Sequence, residues 1–405
     1  MRLHPFAALR PTPERAARIA APPYDVVSRR EAAALAAGNP LCFLRVTRAE
    51  IDLDENADPA DPRVHARARE NLDRLVAAGA LVREAAPSVY VYREDMDGRA
   101  QVGVVGGVHV EDYERGVIRV HERTRPDKED DRTRHIRALR AHAEPVLLLY
   151  RDAPEVAALV AGAMAGPALL DFTAPDGVRH TVWRPARPEP YAAAFAAVPV
   201  AYVADGHHRS ASAWRAAREH DRDRQPDAEC CWFPAVLCPA SALRILPYNR
   251  VVKDLAGQSP EEFLARLGHI GRLTSGGAPS PPRPGAFCFY VDGRWYGLEL
   301  EPPSSSGSDP VASLDVSRLQ ERVLGPILGV ADQRTDTRID FVGGIRGTRE
   351  LEARVDSKEM ALAISLYPTT VEQLMSVANA GEMMPPKSTW FEPKLASGLF
   401  VHTFD

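Results

Sequence analysis

The chain has 405 residues, 45% hydrophobic and 26% charged, a composition typical of globular proteins and long enough for two or three domains. The formal net charge is -5 without a basic block, and no apolar run is long enough to cross a bilayer, so we expect neither a nucleic-acid nor a membrane partner. Five cysteines, odd in number and without metal-ligand spacing, predict reduced thiols in a cytoplasmic protein.

Lysine is scarce in this chain. Lysine and arginine together number 50, and only five of these are lysines, at positions 128, 253, 358, 387 and 394. A lysine that persists against such a bias mildly indicates a site that needs a compact ammonium group. The alternative is that each one persisted by chance.

The first candidate site residues lie in two proline-rich turns near the start of the chain. Glu14 follows the prolines at 11 and 13, and Asp25 follows Tyr24 and the double proline at 22 and 23. Proline restricts the backbone and so holds nearby side chains in defined places. Asp25, as an acid on a rigid loop, is a candidate general base or metal ligand, and the alternative is that it only caps a turn.

Apolar patterns predict the elements that follow. Leu41 to Val46 indicates a strand, and the amphipathic segment Arg63 to Ala80 indicates a helix. Two further apolar segments, Val89 to Arg93 and Gln101 to Val110, predict a hairpin with a turn at Asp97-Gly98. Strands and helices that alternate in this way are typical of an α/β protein.

A run of alternating acids and bases lies between a predicted strand and a predicted helix, Thr133 to Ala141. Such runs are usually solvated faces, but sites in α/β sheets are commonly built at strand ends. In a site, Arg123 and Lys128 would neutralise phosphate charge. The acids that would bind Mg²⁺ or take a proton are Glu122, Asp127 and Glu129.

The most informative stretch joins a predicted buried strand, Val198 to Ala204, to a predicted helix, Ser210 to Glu219. A glycine between a strand and a helix leaves backbone N–H groups and the positive end of the helix dipole facing an anion. We therefore predict a phosphate site, with Asp205 as a metal ligand. Its phosphate-binding residues would be Gly206, His207, His208 and Arg209. The alternative is an ordinary junction in which Asp205 caps the helix and the basic side chains are solvated.

The tail of the chain, from Met384 to Lys394, is polar and rich in proline, and it contains two of the five lysines. We weigh two interpretations of this segment equally. In one, Lys387 and Ser388 form a lid over the site. In the other, the segment only wraps around the structure.

Five motif groups, in matching order along nearly the whole chain, resemble a bacterial family of proteins of unknown function. They are Arg-Pro-Thr-Pro-Glu with Pro-Pro-Tyr-Asp-Val (10–26), His-Glu-Arg-Thr with Lys-Glu-Asp (121–130), Ala-Asp-Gly-His-His-Arg (204–209), Ile-Leu-Pro (245–247) and Met-Pro-Pro-Lys-Ser-Thr with Phe-Glu-Pro-Lys (384–394). The motifs are specific, but membership of this family implies little chemistry.

A more distant resemblance implies more. The segment 206–213 resembles the Gly-x-x-Arg-x-x-Ala box of the ParB/sulfiredoxin superfamily, whose members bind nucleotide phosphates at that helix N-terminus. Ser212 stands where the box has alanine. Sulfiredoxins need a cysteine where this chain has His207, and the segregation clamps carry basic DNA-binding surfaces that are absent from this sequence. The resemblance therefore implies the remaining branch, a small-molecule kinase, with free L-serine as the leading acceptor.

These observations together predict an α/β fold with a mixed sheet. A ParB/sulfiredoxin-like nucleotide-binding part would span 1–245, with an insertion at 85–190, and a C-terminal α/β part at 246–405 would close over the site. The predicted function is phosphoryl transfer from ATP or ADP, with Mg²⁺, to a small hydroxylated metabolite. In that reaction Glu14, Asp25 or Glu122 would orient the acceptor hydroxyl as the base. The alternatives are a phosphohydrolase (nucleotidase) and a non-catalytic nucleotide or metabolite sensor. A homodimer is compatible with the sequence, which does not fix the oligomeric state.

Overall fold

The computed structural model describes residues 1–54, 58, 61–220, 225–301 and 309–404. These residues divide into two compact units. Unit 1 comprises Met1–Leu243 together with Pro393–Asp405, and unit 2 comprises Arg244–Glu392. The chain therefore leaves unit 1 after residue 243, forms unit 2, and then returns to unit 1.

Unit 1 is built on a mixed β-sheet. Its hydrogen-bonded strands follow the order Ile118–Arg119, Ala201–Asp205, Val146–Tyr150, Trp232–Pro239, Arg99–His109, Tyr90–Met96, Arg179–Trp183 and Leu170–Thr173, with Leu3–His4 also paired to Arg99–His109. Ala201–Asp205 pairs in parallel with Ile118–Arg119, and Trp232–Pro239 pairs in parallel with Val146–Tyr150, whereas the remaining pairings are antiparallel. The predicted α/β fold with a mixed sheet is confirmed.

Every residue of the strand Val146–Tyr150 is buried, as expected for a central strand. The α-helices are Ala16–Ile19, Arg29–Ala36, Leu44–Thr47, Pro62–Ala77, Val110–Glu114, Pro126–Leu139, Pro154–Met164, Glu189–Ala196 and His207–Glu219. Short 3-10 turns lie at Pro13–Arg15, Ala49–Asp52, Glu229–Cys231 and Ala240–Ala242. Two small antiparallel pairs complete the unit: Leu9–Pro11 with Leu81–Arg83, and Ala141–His142 with His402–Thr403.

The predicted hairpin is present and longer than its apolar residues indicated. Its strands are Tyr90–Met96 and Arg99–His109, and the turn residues Asp97 and Gly98 both have positive φ, 51° and 73°. A two-residue turn with positive φ at both positions matches the right-handed twist of the flanking strands.

Two predicted elements were wrong. The segment predicted as a strand at 41–46 contains the helix Leu44–Thr47, whose Leu44 and Val46 are fully buried. A short apolar run has no periodicity that could separate a strand from a buried helical turn. The helix predicted to begin at Thr133 begins instead at Pro126 and ends at Leu139, so most of the predicted charged loop is helical.

We call Pro126–Leu139 the charged helix. Pro126 occupies the first helical position, where its missing N–H costs nothing, and Asp127 and Glu129 in the first turn complement the helix dipole. The helix ends before Arg140, which adopts a left-handed conformation with φ of 48°. Ile136 and Leu139 are buried on its inner face.

Unit 2 contains an antiparallel sheet with strands in the order Gly271–Ser275, Arg294–Leu300, Ala286–Val291, Leu362–Leu366, Tyr248–Val252 and Ile339–Gly343. A second antiparallel pair joins Arg244–Leu246 to Trp390–Glu392. The helices of this unit are Pro260–Ile270, Asp315–Leu319 with its π-helical continuation Gln320–Leu324, Gly347–Asp356 and Val371–Asn379, and a 3-10 turn lies at Gly344–Arg346. Val251, Cys288 and Ala363 from three neighbouring strands pack with Leu351 in a buried core.

Across the described parts of the chain, we find no helix with the length and apolar character needed to span a membrane.

Candidate functional site

The strand Ala201–Asp205 and the helix His207–Glu219, here the junction strand and the junction helix, are joined by a single residue, Gly206. Gly206 has φ of 100°, a left-handed conformation that residues with a side chain rarely adopt. A Cβ atom at this position would lie 3.0 to 3.2 Å from three atoms of the Arg209 side chain. The site therefore needs glycine for its backbone conformation and for the close approach of Arg209.

The junction helix begins one turn earlier than its sequence indicated, at His207 instead of Ser210. Its first intrahelical hydrogen bond runs from Ser210 N to Gly206 O, at 2.9 Å. Among the described residues, no side chain caps this helix N-terminus. The positive end of the helix dipole is therefore left for a ligand to complement.

Three charged side chains meet at the end of the junction strand. The Arg209 guanidinium lies 2.5 Å from Asp205 Oδ2 and donates a hydrogen bond to the backbone oxygen of Pro145. Lys394 Nζ donates to Asp205 Oδ1 at 2.9 Å. Burial raises the pKa of Asp205, but the Lys394 and Arg209 cations outweigh burial and hold this pKa well below its usual range. Asp205 is therefore ionised and bound by two cations.

His207 forms a buried histidine pair with His121. The two rings meet edge to face with their centroids 4.5 Å apart, and His207 Nδ1 lies 3.7 Å from Glu122 Oε2. Burial lowers the pKa of His207 to about 3, so the ring is neutral at physiological pH. Its Nε2 is buried and makes no hydrogen bond within the described part of the chain. His207 can therefore offer hydrogen bonds to a phosphate, but not a positive charge.

The predicted site stretches converge at His208. The backbone N–H of Arg125 donates to His208 Nε2 at 3.1 Å, so the proton of the neutral ring is on Nδ1. Burial lowers the pKa of His208, and the nearby carboxylates of Glu122 and Asp25 oppose this shift. Residues 24–25, 122–129 and 205–209 therefore share one electrostatic environment, together with Lys394 beside Asp205.

Contacts between Tyr24 and buried side chains hold the loop that carries Asp25 in place. The Tyr24 ring packs against the Arg132 guanidinium, 4.2 Å from its centroid, and the Tyr24 N–H donates to Glu144 Oε1 at 3.1 Å. The same Glu144 oxygen accepts a hydrogen bond from the Ser397 hydroxyl at 2.8 Å. A cavity of about 30 Å³ is lined in part by Arg132, Glu144 and Arg209.

The remaining predicted site residues lie at the surface or in unit 2. Glu14 is exposed on the 3-10 turn Pro13–Arg15, and Arg123 and Lys128 are also exposed. Asp127 is exposed and pairs with Arg125 at 2.9 Å. Lys128 lies close enough to His208 to lower the pKa of that ring, and the site roles of all four residues stay predictions.

The two predicted lid residues belong to unit 2. Ser388 is buried, and its hydroxyl donates to the backbone oxygen of Pro385 at 2.7 Å. Lys387 is exposed, adopts a left-handed conformation with φ of 57°, and its Nζ lies 5.3 Å from the centroid of the Tyr248 ring. Their role as a lid remains a prediction.

The two predicted metal ligands, Asp205 and Asp127, are each paired with a cation in this structure. Asp205 presents its two oxygens to the Arg209 and Lys394 cations, and Asp127 presents its oxygens to Arg125. In the part of the chain that the structure describes, no group of three or more His, Cys, Asp or Glu side chains is placed to hold a metal ion. Mg²⁺ commonly takes only one or two carboxylates and fills its other positions with phosphate oxygens and water, so the role of Asp205 and Asp127 as metal ligands stays a prediction.

Sequence reasoning missed four residues of the site. Lys394, Ser397, Glu144 and Arg132 surround Asp205 and the loop at Tyr24, yet they are distant in sequence and belong to no recognised spacing. Only Lys394 carried a signal, as one of five lysines in an arginine-rich chain.

A family model described as "Protein of unknown function (DUF1015)" matches residues 3–317. No curated protein matches the chain.

Several solved structures are similar to this one at low sequence identity. A free serine kinase in complex with AMP is 12% identical, with a TM-score of 0.36, over 73% of this chain and 92% of that one. A conserved hypothetical protein from Pyrococcus furiosus is 13% identical, with a TM-score of 0.35, over 73% and 95%. SbnI with a C-terminal truncation, from Staphylococcus aureus, is 13% identical, with a TM-score of 0.38, over 74% and 87%.

Proposed function

The chain belongs to the DUF1015 family of proteins of unknown function, as its five motif groups predicted, and from this premise we propose that it transfers a phosphoryl group from a nucleotide to a small hydroxylated metabolite. The donor is ATP or ADP. The leading acceptor is free L-serine, which we propose from the resemblance of the segment 206–213 to the nucleotide-binding box of small-molecule kinases.

The observation that carries this proposal is the N-terminus of the junction helix. A buried strand ends in a left-handed glycine, the helix begins without a side-chain cap among the described residues, and two cations flank the turn. Backbone N–H groups and the helix dipole at such an end favour a phosphate. The neutral imidazoles of His207 and His208 add hydrogen-bond donors beside the N–H groups.

Phosphoryl transfer asks the protein for positioning and charge more than for covalent chemistry. In the proposed reaction the acceptor hydroxyl oxygen forms a bond to the transferred phosphorus, and the bond from phosphorus to the leaving nucleotide oxygen breaks. The hydroxyl proton passes to a carboxylate. Asp25 and Glu122, beside His208, and Glu14, on its exposed turn, are the candidate bases.

Magnesium enters this proposal with the nucleotide. A nucleotide bound as its magnesium complex needs no dedicated cage of protein ligands, because the phosphates themselves and water supply most of the oxygens. The acidic side chains near His208 then act on the acceptor, while Asp205 stays paired with its two cations.

The first experiment is calorimetric titration of the full chain with ATP, ADP and CTP, each with Mg²⁺. We expect one of the adenine nucleotides to bind and, with serine present, phosphoserine to form, as read by ³¹P NMR. Failure of all three nucleotides to bind would exclude the kinase. Phosphate release without an acceptor would indicate a phosphohydrolase, and binding without any turnover would indicate a sensor.

A second experiment identifies the base. The variants E14Q, D25N and E122Q each remove one carboxylate while keeping its shape. We expect one of them to lower kcat by roughly 10²- to 10⁴-fold with unchanged nucleotide affinity, because only that carboxylate accepts the hydroxyl proton. The two unaffected variants serve as matched controls, and retention of kcat by all three would exclude these residues as the base.

A further inference from the structure

Lys394 reaches the site from the far end of the chain. It follows the whole of unit 2 in sequence, and its Nζ contacts Asp205, 189 residues earlier. The side chain is only 16% exposed, so this contact lies in a partly desolvated environment where charges interact more strongly than at the surface. Lys394 also lies outside the residues 3–317 that the family model covers.

The segment that carries Lys394, residues 393–404, is fixed within unit 1. Ser397 N donates to Ala21 O at 2.8 Å and Ser397 Oγ donates to Glu144, so the segment is tied to the loop before Tyr24. Further along, Val401 and Leu9 exchange backbone hydrogen bonds at 3.0 and 2.9 Å. The ammonium of Lys394 is therefore held against Asp205 by an ordered backbone and not by a free tail.

Lys394 determines the net charge beside the N-terminus of the junction helix. Asp205 and Arg209 are in direct contact and cancel each other, and Lys394 adds one positive charge to that pair. The other charged groups near His208 are the carboxylates of Glu122, Asp25 and Glu129 and the ammonium of Lys128. Without Lys394, a phosphate at the helix N-terminus would meet an Asp205–Arg209 pair with no net charge.

We propose that Lys394 is a positioning residue of the phosphate site, which acts through Asp205. Its ammonium neutralises the carboxylate that would otherwise repel the phosphate, and it leaves the Arg209 charge uncompensated toward the ligand. This inference rests on the proposed function, since it assigns a role in the same site. A lysine suits the position because a compact ammonium can share one carboxylate with a planar guanidinium.

The test uses the full chain and two titrants, ADP with Mg²⁺ and inorganic pyrophosphate. K394M removes the charge and keeps the length of the side chain, and K358M, an exposed lysine of unit 2, is the matched control. We expect K394M to weaken both affinities by roughly tenfold to a hundredfold, the size expected for one charge at short range in a partly desolvated site. K358M should bind both titrants like the wild type.

The double variant D205N/K394M separates positioning from direct contact. It removes one negative and one positive charge, so the net charge beside the helix N-terminus returns to the wild-type value. We expect its affinity for both titrants to recover to within about threefold of wild type. If it stays as weak as K394M, Lys394 contacts the anion itself and the positioning role is overturned.

The titrants also separate this inference from the proposed function. Wild-type binding of both anions with no loss in K394M overturns the inference and leaves the function standing. Binding of pyrophosphate that depends on Lys394, without binding of any nucleotide, overturns the proposed function and supports the inference. A wild-type protein that binds neither anion overturns both.

Discussion

Two buried arginines, one in each unit, are held in opposite ways. Arg209 in unit 1 is paired with the carboxylate of Asp205 at 2.5 Å. Arg250 in unit 2 is fully buried, and its guanidinium donates to Gln333 Oε1 at 3.3 Å and to the backbone oxygens of Tyr248 and Pro386. One arginine is therefore held by an opposite charge and the other by neutral acceptors.

The two arrangements have different consequences for the pKa of Arg250 and for the role of each arginine. Burial lowers the pKa of Arg250 to about 9, because its neutral hydrogen-bond partners stabilise the charged guanidinium less than water does. Arg250 ties the strand Tyr248–Val252 to the segment before Lys387. Arg209 instead belongs to a cluster of paired charges at a helix N-terminus. The first arrangement serves packing, and the second maintains charge where a phosphate is proposed to bind.

The largest expected difference between the two units is their response to acid, which should lower the free energy of unfolding of unit 1 more than that of unit 2. Of the twelve histidines, only His269 lies in unit 2, whereas His135, His142 and His207 in unit 1 have pKa values lowered to about 3, mainly by burial. Between pH 3 and 6.5 the unfolded chain binds more protons at these residues than the folded one. The free energy of unfolding is therefore unaffected by these histidines above pH 6.5. It falls as the pH drops below that value, by about 2 kcal/mol per histidine at pH 5.

Urea unfolding at pH 7 and pH 5, followed by tryptophan fluorescence, measures this effect. The variant W295F/W390F reports on unit 1 alone, and the variant that keeps only those two tryptophans reports on unit 2. Equal losses of unfolding free energy in both units would contradict the assignment of the acid sensitivity to the buried histidines.

Replacement of each arginine by methionine should affect stability and nucleotide binding differently in the two units. R209M breaks a buried ion pair and leaves Asp205 with only Lys394, so we expect a loss of about 3–5 kcal/mol in unfolding free energy and loss of nucleotide binding. R250M, its matched variant in unit 2, removes a buried charge with neutral partners and should cost only about 1–2 kcal/mol without affecting nucleotide affinity. Denaturant titration measures the unfolding free energy of both variants, and calorimetry measures their nucleotide affinity. Normal nucleotide binding by R209M would show that Arg209 has no part in the site.

Glycine substitutions give the smallest effect in this series. G206A places a Cβ in a left-handed conformation and within 3.0 to 3.2 Å of Arg209, so we expect a loss of about 1–3 kcal/mol together with weaker nucleotide binding. The control G381A, in unit 2, has a similar φ of 72° but open space around its Cβ, and should cost about 1 kcal/mol. If both variants lose the same free energy, the contact between Gly206 and Arg209 carries no extra strain.

Local sequence signals predicted the elements of the site well. The apolar strand, the glycine and the helix around Asp205 follow from composition and turn chemistry alone, and the structure shifts the helix start by only three residues. The charged helix was missed at its beginning because alternating charges are usually a solvated loop, even though Pro126 with Asp127 and Glu129 is a recognised start signal.

The contacts that give the site its charge could not be predicted. The pairing of Asp205 with Lys394 and of Glu144 with Ser397 joins residues far apart in sequence, and sequence spacing does not report such contacts. Burial likewise decides that His207 is neutral at physiological pH, a property that the residue type alone does not determine. Tertiary context, and not residue type, set both properties.

The route of the chain also sets an order of events during synthesis. The junction strand and helix leave the ribosome before any of unit 2, but the ion pair between Lys394 and Asp205 cannot form until residue 394 has emerged. A nascent chain that stops within unit 2 therefore holds Asp205 and Arg209 without their third charge. Synthesis of the segment that carries Lys394 therefore changes the charge at a strand end made almost two hundred residues earlier, and a chain cut before residue 394 differs from one that includes it at the candidate site as well.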